Sequence, residues 1–140
     1  MHIPFLNLEK IHKNYLNEIN FKVKNVIYSN NYIKGNEVKL FEEEFAKFCG
    51  TKFCKGVGNG LQALELILRA YKIGNGDEVI VPSNTYIATW LAVTHVGADV
   101  VPVEPRIETY NINPDLIEKS ITKKTKAIIA VHLYGQVAEM

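Results

Sequence analysis

Apolar residues return every three or four positions through the first third of the chain. Leu8, Ile11, Tyr15, Ile19, Val23 and Val26 share one helical face, which predicts one amphipathic helix over roughly residues 8–29. Ser29-Asn30-Asn31-Tyr32-Ile33-Lys34-Gly35 breaks that pattern with loop residues. A second helix is expected from about Asn36 to residue 49, with Val38, Leu40, Phe41, Phe45 and Phe48 on its apolar face and Gly50 as its end cap. After residue 50 the pattern changes. Short apolar runs over 53–57, 78–81, 99–103 and 126–132 read as strands, and helices are expected over 61–71, 84–96 and 114–121. Ser83 or Asn84 would cap the second of these, and Asn113 with Pro114 opens the third. The run Ala127-Ile128-Ile129-Ala130-Val131 is apolar in succession, the mark of a strand covered on both faces. Alternation of strand and helix predicts an α/β fold with a mostly parallel sheet flanked by helices. The chain divides into an N-terminal helical segment, 1–50, and an α/β part, 51–140.

Composition changes this picture little. The chain has 140 residues, 47% hydrophobic and 22% charged, an ordinary balance for a globular domain with a real core. A net charge of +1 gives no reason to expect nucleic acid or a membrane surface as partner. No apolar run approaches membrane-spanning length, and Met1-His2-Ile3-Pro4-Phe5 does not read as a signal peptide, so a cytoplasmic enzyme or binding protein is expected. Histidines at 2, 12, 95 and 132 have no metal-ligand spacing, and Cys49 and Cys54 are too few for a disulfide scaffold or a zinc site. No metal is expected.

Candidate chemistry centres on Gly56-Val57-Gly58-Asn59-Gly60-Leu61-Gln62-Ala63. Glycines let the backbone turn tightly, and a helix starting there aims free N–H groups and its positive dipole end at the loop. That combination suits a phosphate, and it equally suits a tight turn that binds nothing. A P-loop needs Gly-Lys-Ser/Thr, and Gly60 is followed by Leu61-Gln62. The dinucleotide fingerprint is formally met by Gly58 to Ala63. Its ribose-binding acid is missing, because the strand 78–81 ends in Pro82-Ser83. In an open parallel sheet, ligands sit beyond the carboxyl ends of the strands, which brings Ser83 to Tyr86 and His132 to Gln136 into consideration beside the glycine loop. The ring of Tyr86 either packs in the core with Trp90 or stacks on a flat ligand.

Gly58-Asn59-Gly60-Leu61-Gln62-Ala63-Leu64, the segment Ile73 to Thr89, Thr109-Tyr110-Asn111-Ile112, Thr125 to Ile129 and Val131 to Gln136 follow one another as in a known family. With the earlier Gly35, Glu37-Val38 and Phe41 to Ala46, they make the chain resemble the DegT/DnrJ/StrS aminotransferases over nearly its whole length. The resemblance implies the large domain of a fold-type I aminotransferase, in part. It implies pyridoxal phosphate as cofactor, a nucleotide-linked keto sugar as substrate, an amino donor such as glutamate, and a homodimer with sites at the subunit interface. Deoxyamino-sugar and polysaccharide biosynthesis are the pathways such enzymes serve. Carried over by position, the backbone amides of Gly60 and Leu61 and the side chain of Gln62 would hold the cofactor phosphate. Tyr86 would stack on the pyridine ring, and Tyr32 and Lys34 would bind substrate. Leu61 stands where a threonine is more usual, so one hydroxyl contact is lost. Gly58 to Leu61, Trp90 and Val103-Glu104-Pro105 resemble the branch acting on dTDP-3-keto-6-deoxyhexoses.

The lysine that forms the Schiff base and the acid paired to the pyridine nitrogen are expected beyond Met140. Lys123, Lys124 and Lys126 read as surface lysines. No catalytic residue is therefore assigned within 1–140, and this stretch alone is expected to be inactive. A histidine in place of that lysine would make the whole a sugar-nucleotide 3-dehydratase of the same family. A silent fragment that only binds is the third reading.

Overall fold

The computed structural model describes residues 4–140. Contacts divide the chain into two compact units, Met1–Gly56 and Val57–Met140.

The first unit is helical. It contains α1 (Glu9–His12), α2 (Leu16–Ser29) and α3 (Asn36–Phe48). The single helix expected over 8–29 is thus two. Tyr15 leaves helical geometry at φ −117° and ψ 0°, and its N–H turns back to the His12 carbonyl at 2.9 Å. Ile11, Tyr15 and Ile19 keep a four-residue step across the break, so periodicity conceals it. Helix α3 ends as expected at Gly50 (φ +65°). The Gly50 N–H reaches the Lys47 carbonyl and the Thr51 N–H reaches that of Ala46, the paired bonds of a Schellman cap. The rings of Phe41 and Phe45 stack 5.5 Å apart along this helix.

The second unit holds the sheet. In chain order it runs α4 (Gly60–Ala70), β1 (Glu78–Pro82), α5 (Ile87–His95), β2 (Asp99–Val103), α6 (Pro114–Ser120), β3 (Thr125–Ile128) and a 3-10 turn at Leu133–Gly135. The sheet has three strands in the order β2-β1-β3, and both pairings are parallel. The expected α/β class is therefore present, with three corrections. Residues 53–57 form no strand, because the amide of Gly56 bonds to the Glu42 carboxylate instead of to a neighbouring strand, and Phe53 stays exposed. β3 stops at Ile128, one residue before the last backbone bond to β1, from Ile129 to Ile80. α5 begins at Ile87 with neither Ser83 nor Asn84 as its cap, because the Asn84 side chain donates to the Tyr110 carbonyl at 2.9 Å.

The packing of β1 explains why Val79, Ile80 and Val81 are apolar in succession. Val79 and Val81 face Leu68, Ile73, Ala92, Val93 and Ala98 on one side of the sheet. Ile80 faces Val103 and Ile112 on the other, with Leu116 packed alongside. Each fully buried Val, Leu or Ile among these contributes about 1.5–3 kcal/mol by leaving water. Asn113 caps α6 through its side chain, which accepts from the Asp115 N–H, and Pro114 occupies the first helical position as its fixed φ favours.

Candidate functional site

The start of α4 is built by two side chains that tie the loop to the helix. Asn59 is extended, and its Oδ1 accepts from the Gln62 N–H at 3.0 Å. Gln62 reaches back, and its Oε1 accepts from the Gly58 N–H at 2.9 Å. This is a capping box displaced by one residue. The Ala63 N–H goes to the Asn59 carbonyl. What remains are the N–H groups of Gly60 and Leu61, which have no partner among the described residues. A Cβ placed on Gly60 would meet nothing within 4 Å, so open space lies in front of these donors. Two unsatisfied amides at the positive end of an eleven-residue helix facing open space suit an anion.

These donors open onto a cleft of about 730 Å³, lined by Asn59, Gly60, Leu61, Tyr86, Ile87 and Leu91 among others. The walls are mostly apolar, as in sites for flat organic ligands. The Tyr86 ring lines this cleft and is 76% exposed. Of the two roles open to Tyr86 in the sequence, the core role belongs instead to Trp90. Its indole N–H donates to the Pro82 carbonyl at 3.1 Å while its ring packs on the core. Ser83 at one end of the segment donates its N–H to the Val103 carbonyl, and the Thr85 and Thr89 hydroxyls meet at 3.0 Å at the other. The glycine loop and Tyr86, 26 residues apart in the sequence, thus line one cleft beyond the carboxyl end of β1.

The remaining candidates fall elsewhere. His132 accepts the Ala138 N–H on Nδ1 at 3.0 Å, which leaves its proton on Nε2 when neutral. Lys123, Lys124 and Lys126 are exposed around the start of β3, and the Lys124 carbonyl bonds the Glu78 amide at the amino end of β1. Tyr32 and Lys34 belong to the first unit. The Tyr32 hydroxyl donates to the Ile27 carbonyl at 3.0 Å, and Lys34 is exposed with φ +52°. Among the described residues no group of His, Cys, Asp or Glu is arranged to hold a metal, and no helix is long and apolar enough to cross a membrane.

A family model described as the DegT/DnrJ/EryC1/StrS aminotransferase family matches residues 14–140. This chain belongs to that family. It is 58% identical over 138 residues to dTDP-3-amino-3,6-dideoxy-alpha-D-galactopyranose transaminase of Aneurinibacillus thermoaerophilus, covering 99% of this chain and 38% of the relative. Among solved structures, DesV of S. venezuelae, in complex with a ketimine intermediate, superposes with a TM-score of 0.92 at 47% identity, over 98% of this chain and 37% of that one. NtdA of Bacillus subtilis, solved with bound cofactor PMP, gives a TM-score of 0.90 at 30% identity, over 98% of this chain and 32% of that one. The chain therefore spans under two-fifths of the length of these relatives, and it has the fold of part of a fold-type I aminotransferase domain.

The hydrogen-bonding roles of three asparagines, Asn59, Asn84 and Asn111, were not read from the sequence, although Asn84 was expected as a helix cap. Asn59 was findable, since Asn59-x-x-Gln62 has capping-box spacing. Asn84 and Asn111 were not, because their partners lie 22–26 residues away.

Proposed function

We propose that this chain supplies the phosphate cradle and the ring-stacking wall of a pyridoxal-phosphate-dependent aminotransferase acting on a nucleotide-linked keto sugar. The observation that carries the reading is the pair of free amides at Gly60 and Leu61 opening onto the same cleft as the bare ring of Tyr86. The residues fit the cofactor. The two amides suit its phosphate and the ring suits its pyridine, while the Gln62 side chain, whose Oε1 is taken by the Gly58 N–H, is proposed to add a contact only through its remaining Nε2. When bound, the cofactor supplies an electron sink for chemistry at the substrate carbon. The chain's own residues hold the phosphate, set the plane of the ring and keep water off its Tyr86 face. The Schiff-base lysine and the acid at the pyridine nitrogen are proposed to lie outside 1–140.

The substrate is proposed to be a dTDP-3-keto-6-deoxyhexose, with glutamate as donor. The name of the Aneurinibacillus relative supports this and favours transamination over dehydration. Tyr32 and Lys34 are proposed to contact the substrate. A cytoplasmic homodimer is proposed, in which the first helices, with apolar faces exposed in their own unit, meet a partner subunit.

Two variants test the site in the protein expressed from its native gene. Gly60→Asp is expected to abolish cofactor binding, because a carboxylate would project into the space in front of the two amides and repel the phosphate. Tyr86→Ala is expected to weaken cofactor binding by about 1 kcal/mol through lost stacking. Spectrophotometric titration with pyridoxal phosphate reads both. Wild-type affinity in both variants would remove the site from this cleft.

A further inference from the structure

Three segments leave the carboxyl ends of the strands: 83–86 after β1, 104–113 after β2, and 129–136 after β3. Asn111 joins the second to the third and is only 4% exposed. Its Oδ1 accepts from the Leu133 N–H at 3.0 Å, and its Nδ2 donates to the Gln136 carbonyl at 3.1 Å. One carboxamide thus closes both ends of the turn at Leu133–Gly135. Tyr134, inside that turn, has φ +53°. Tyr110, directly before Asn111, has φ +56°, and its carbonyl accepts from the Asn84 Nδ2 at 2.9 Å. Left-handed geometry is uncommon for bulky residues and persists where surrounding contacts over-determine it. Here the two asparagine carboxamides are such contacts.

We propose that Asn84 and Asn111 are positioning residues for Tyr86. Neither belongs to the wall of the cleft. Asn84 lies two residues before Tyr86, in the middle of a segment otherwise held near its ends, by the Ser83 N–H to Val103, by the Thr85 and Thr89 hydroxyls, and by the Thr89 N–H to the Tyr86 carbonyl at 3.0 Å. Its bond to Tyr110 fixes that middle. Asn111 fixes Tyr110 in turn by anchoring its own backbone to the 133–136 turn. A stacking ring contributes fully only when its supporting residues hold its plane. Asn84 is exposed, so nothing in the core depends on its side chain. The proposal rests on the pyridoxal phosphate reading above.

The test uses the protein expressed from its native gene. Pyridoxal phosphate affinity and the thermal midpoint of the cofactor-free form are measured for wild type, Asn84→Ala, Tyr86→Ala, the double variant and Asn111→Asp. Asn84→Ala is expected to weaken cofactor binding about three- to tenfold, the scale of one lost hydrogen bond, with the cofactor-free midpoint unchanged. In the double variant the two losses are expected to be less than additive, because Asn84 acts through Tyr86. Asn111→Asp keeps the acceptor for Leu133, loses the donor to Gln136, and is expected to weaken binding in the same direction. Should Asn111→Asp fail to fold, the Asn84 arm decides alone. Wild-type affinity in Asn84→Ala, full additivity, or a loss of affinity matched by a fallen cofactor-free midpoint would overturn the positioning role. A wild-type protein that takes up no pyridoxal phosphate would overturn the reading of the cleft and this proposal with it, whereas normal uptake by both wild type and Asn84→Ala would overturn the positioning role alone.

Discussion

The two units use the same kind of amphipathic sequence and reach different ends. In Val57–Met140, β1 buries Val79, Ile80 and Val81 completely, and the helices on either side supply the atoms that cover them. In Met1–Gly56, α2 has fourteen residues and none is buried. Its Leu16, Ile19, Val23 and Ile27 form an apolar face that remains exposed, and α3 buries only Ala46. Periodicity in a sequence states that a face exists. It does not state whether the covering atoms belong to the same unit. The part of the chain that carries the cleft is also the part that buries a core around β1, although Ile67 and Ile128 stay exposed, and this suits a site whose donors and ring must keep fixed positions.

The largest effect that tests this contrast is a pair of truncations in the 140-residue polypeptide. Ile80→Ala is expected to cost about 2–5 kcal/mol, because the lost methyl groups leave a cavity between β1, Val103 and Ile112. Ile19→Ala, at a residue 43% exposed, is expected to cost under about 1 kcal/mol. Denaturant unfolding followed by circular dichroism reads both. Equal losses would show that the α2 face is covered in solution, and a concentration-dependent midpoint for Ile19 alone would identify self-association as the cover.

Legibility in the sequence followed the same division. Strands β1 and β2 were plain, since a continuous apolar run bounded by Pro82 or Gly97 admits few other readings. The expected strand at 53–57, interrupted by Lys55 and Gly56, failed, because a strand exists only with a ladder partner and the Gly56 amide found a carboxylate instead. The turn from the glycine loop into a helix was legible from local chemistry alone, which left open whether it binds a phosphate. The place of Tyr86 was not, since its competitor for the core role, Trp90, lies one helical turn away, and what separates them is the exposure of Tyr86, the core packing of Trp90 and its bond to Pro82. The tie from Asn84 to Tyr110 had no local signal at all.

A smaller effect compares helix ends across the two units. Gly50 ends α3 and Lys72 ends α4 with the same bonds: the Lys72 N–H reaches the Arg69 carbonyl and the Ile73 N–H reaches that of Leu68. Both residues are left-handed, at φ +65° and +60°. Glycine is at ease there and lysine is not. Lys72→Gly is expected to stabilise by about 0.5 kcal/mol, the relief of left-handed strain exceeding the extra entropy of a glycine in the unfolded chain. Gly50→Lys is expected to destabilise by about 1 kcal/mol, through φ alone, since open space surrounds a Cβ at that position. Thermal unfolding of the two variants checks both signs. A gain from Gly50→Lys would show that the cap of α3 loosens in solution.

The smallest effect is confined to the first unit and depends on pH. Glu42 on α3 accepts from the Lys55 ammonium and from the Gly56 N–H, the latter at 2.8 Å. The Lys55 hydrogen bond first, and the Gly56 amide second, hold its carboxyl below its ordinary value of 4.5. A group with a depressed folded value binds fewer protons folded than unfolded, so its contribution is complete above the unfolded value and fades as pH falls through the folded one. The tie between 55–56 and α3 is therefore expected to hold at neutral pH and to loosen only below the ordinary carboxylate range. Glu42→Gln keeps an acceptor for Gly56 and removes the charge, so the local acid transition should vanish while the Gly56 amide stays protected at neutral pH. Amide exchange at Gly56, followed by NMR from neutral pH into acid and corrected for intrinsic rates, reads this directly. An acid transition at Gly56 that survives in Glu42→Gln would assign it to another carboxylate, and one that begins above the ordinary range would contradict the sign of the shift.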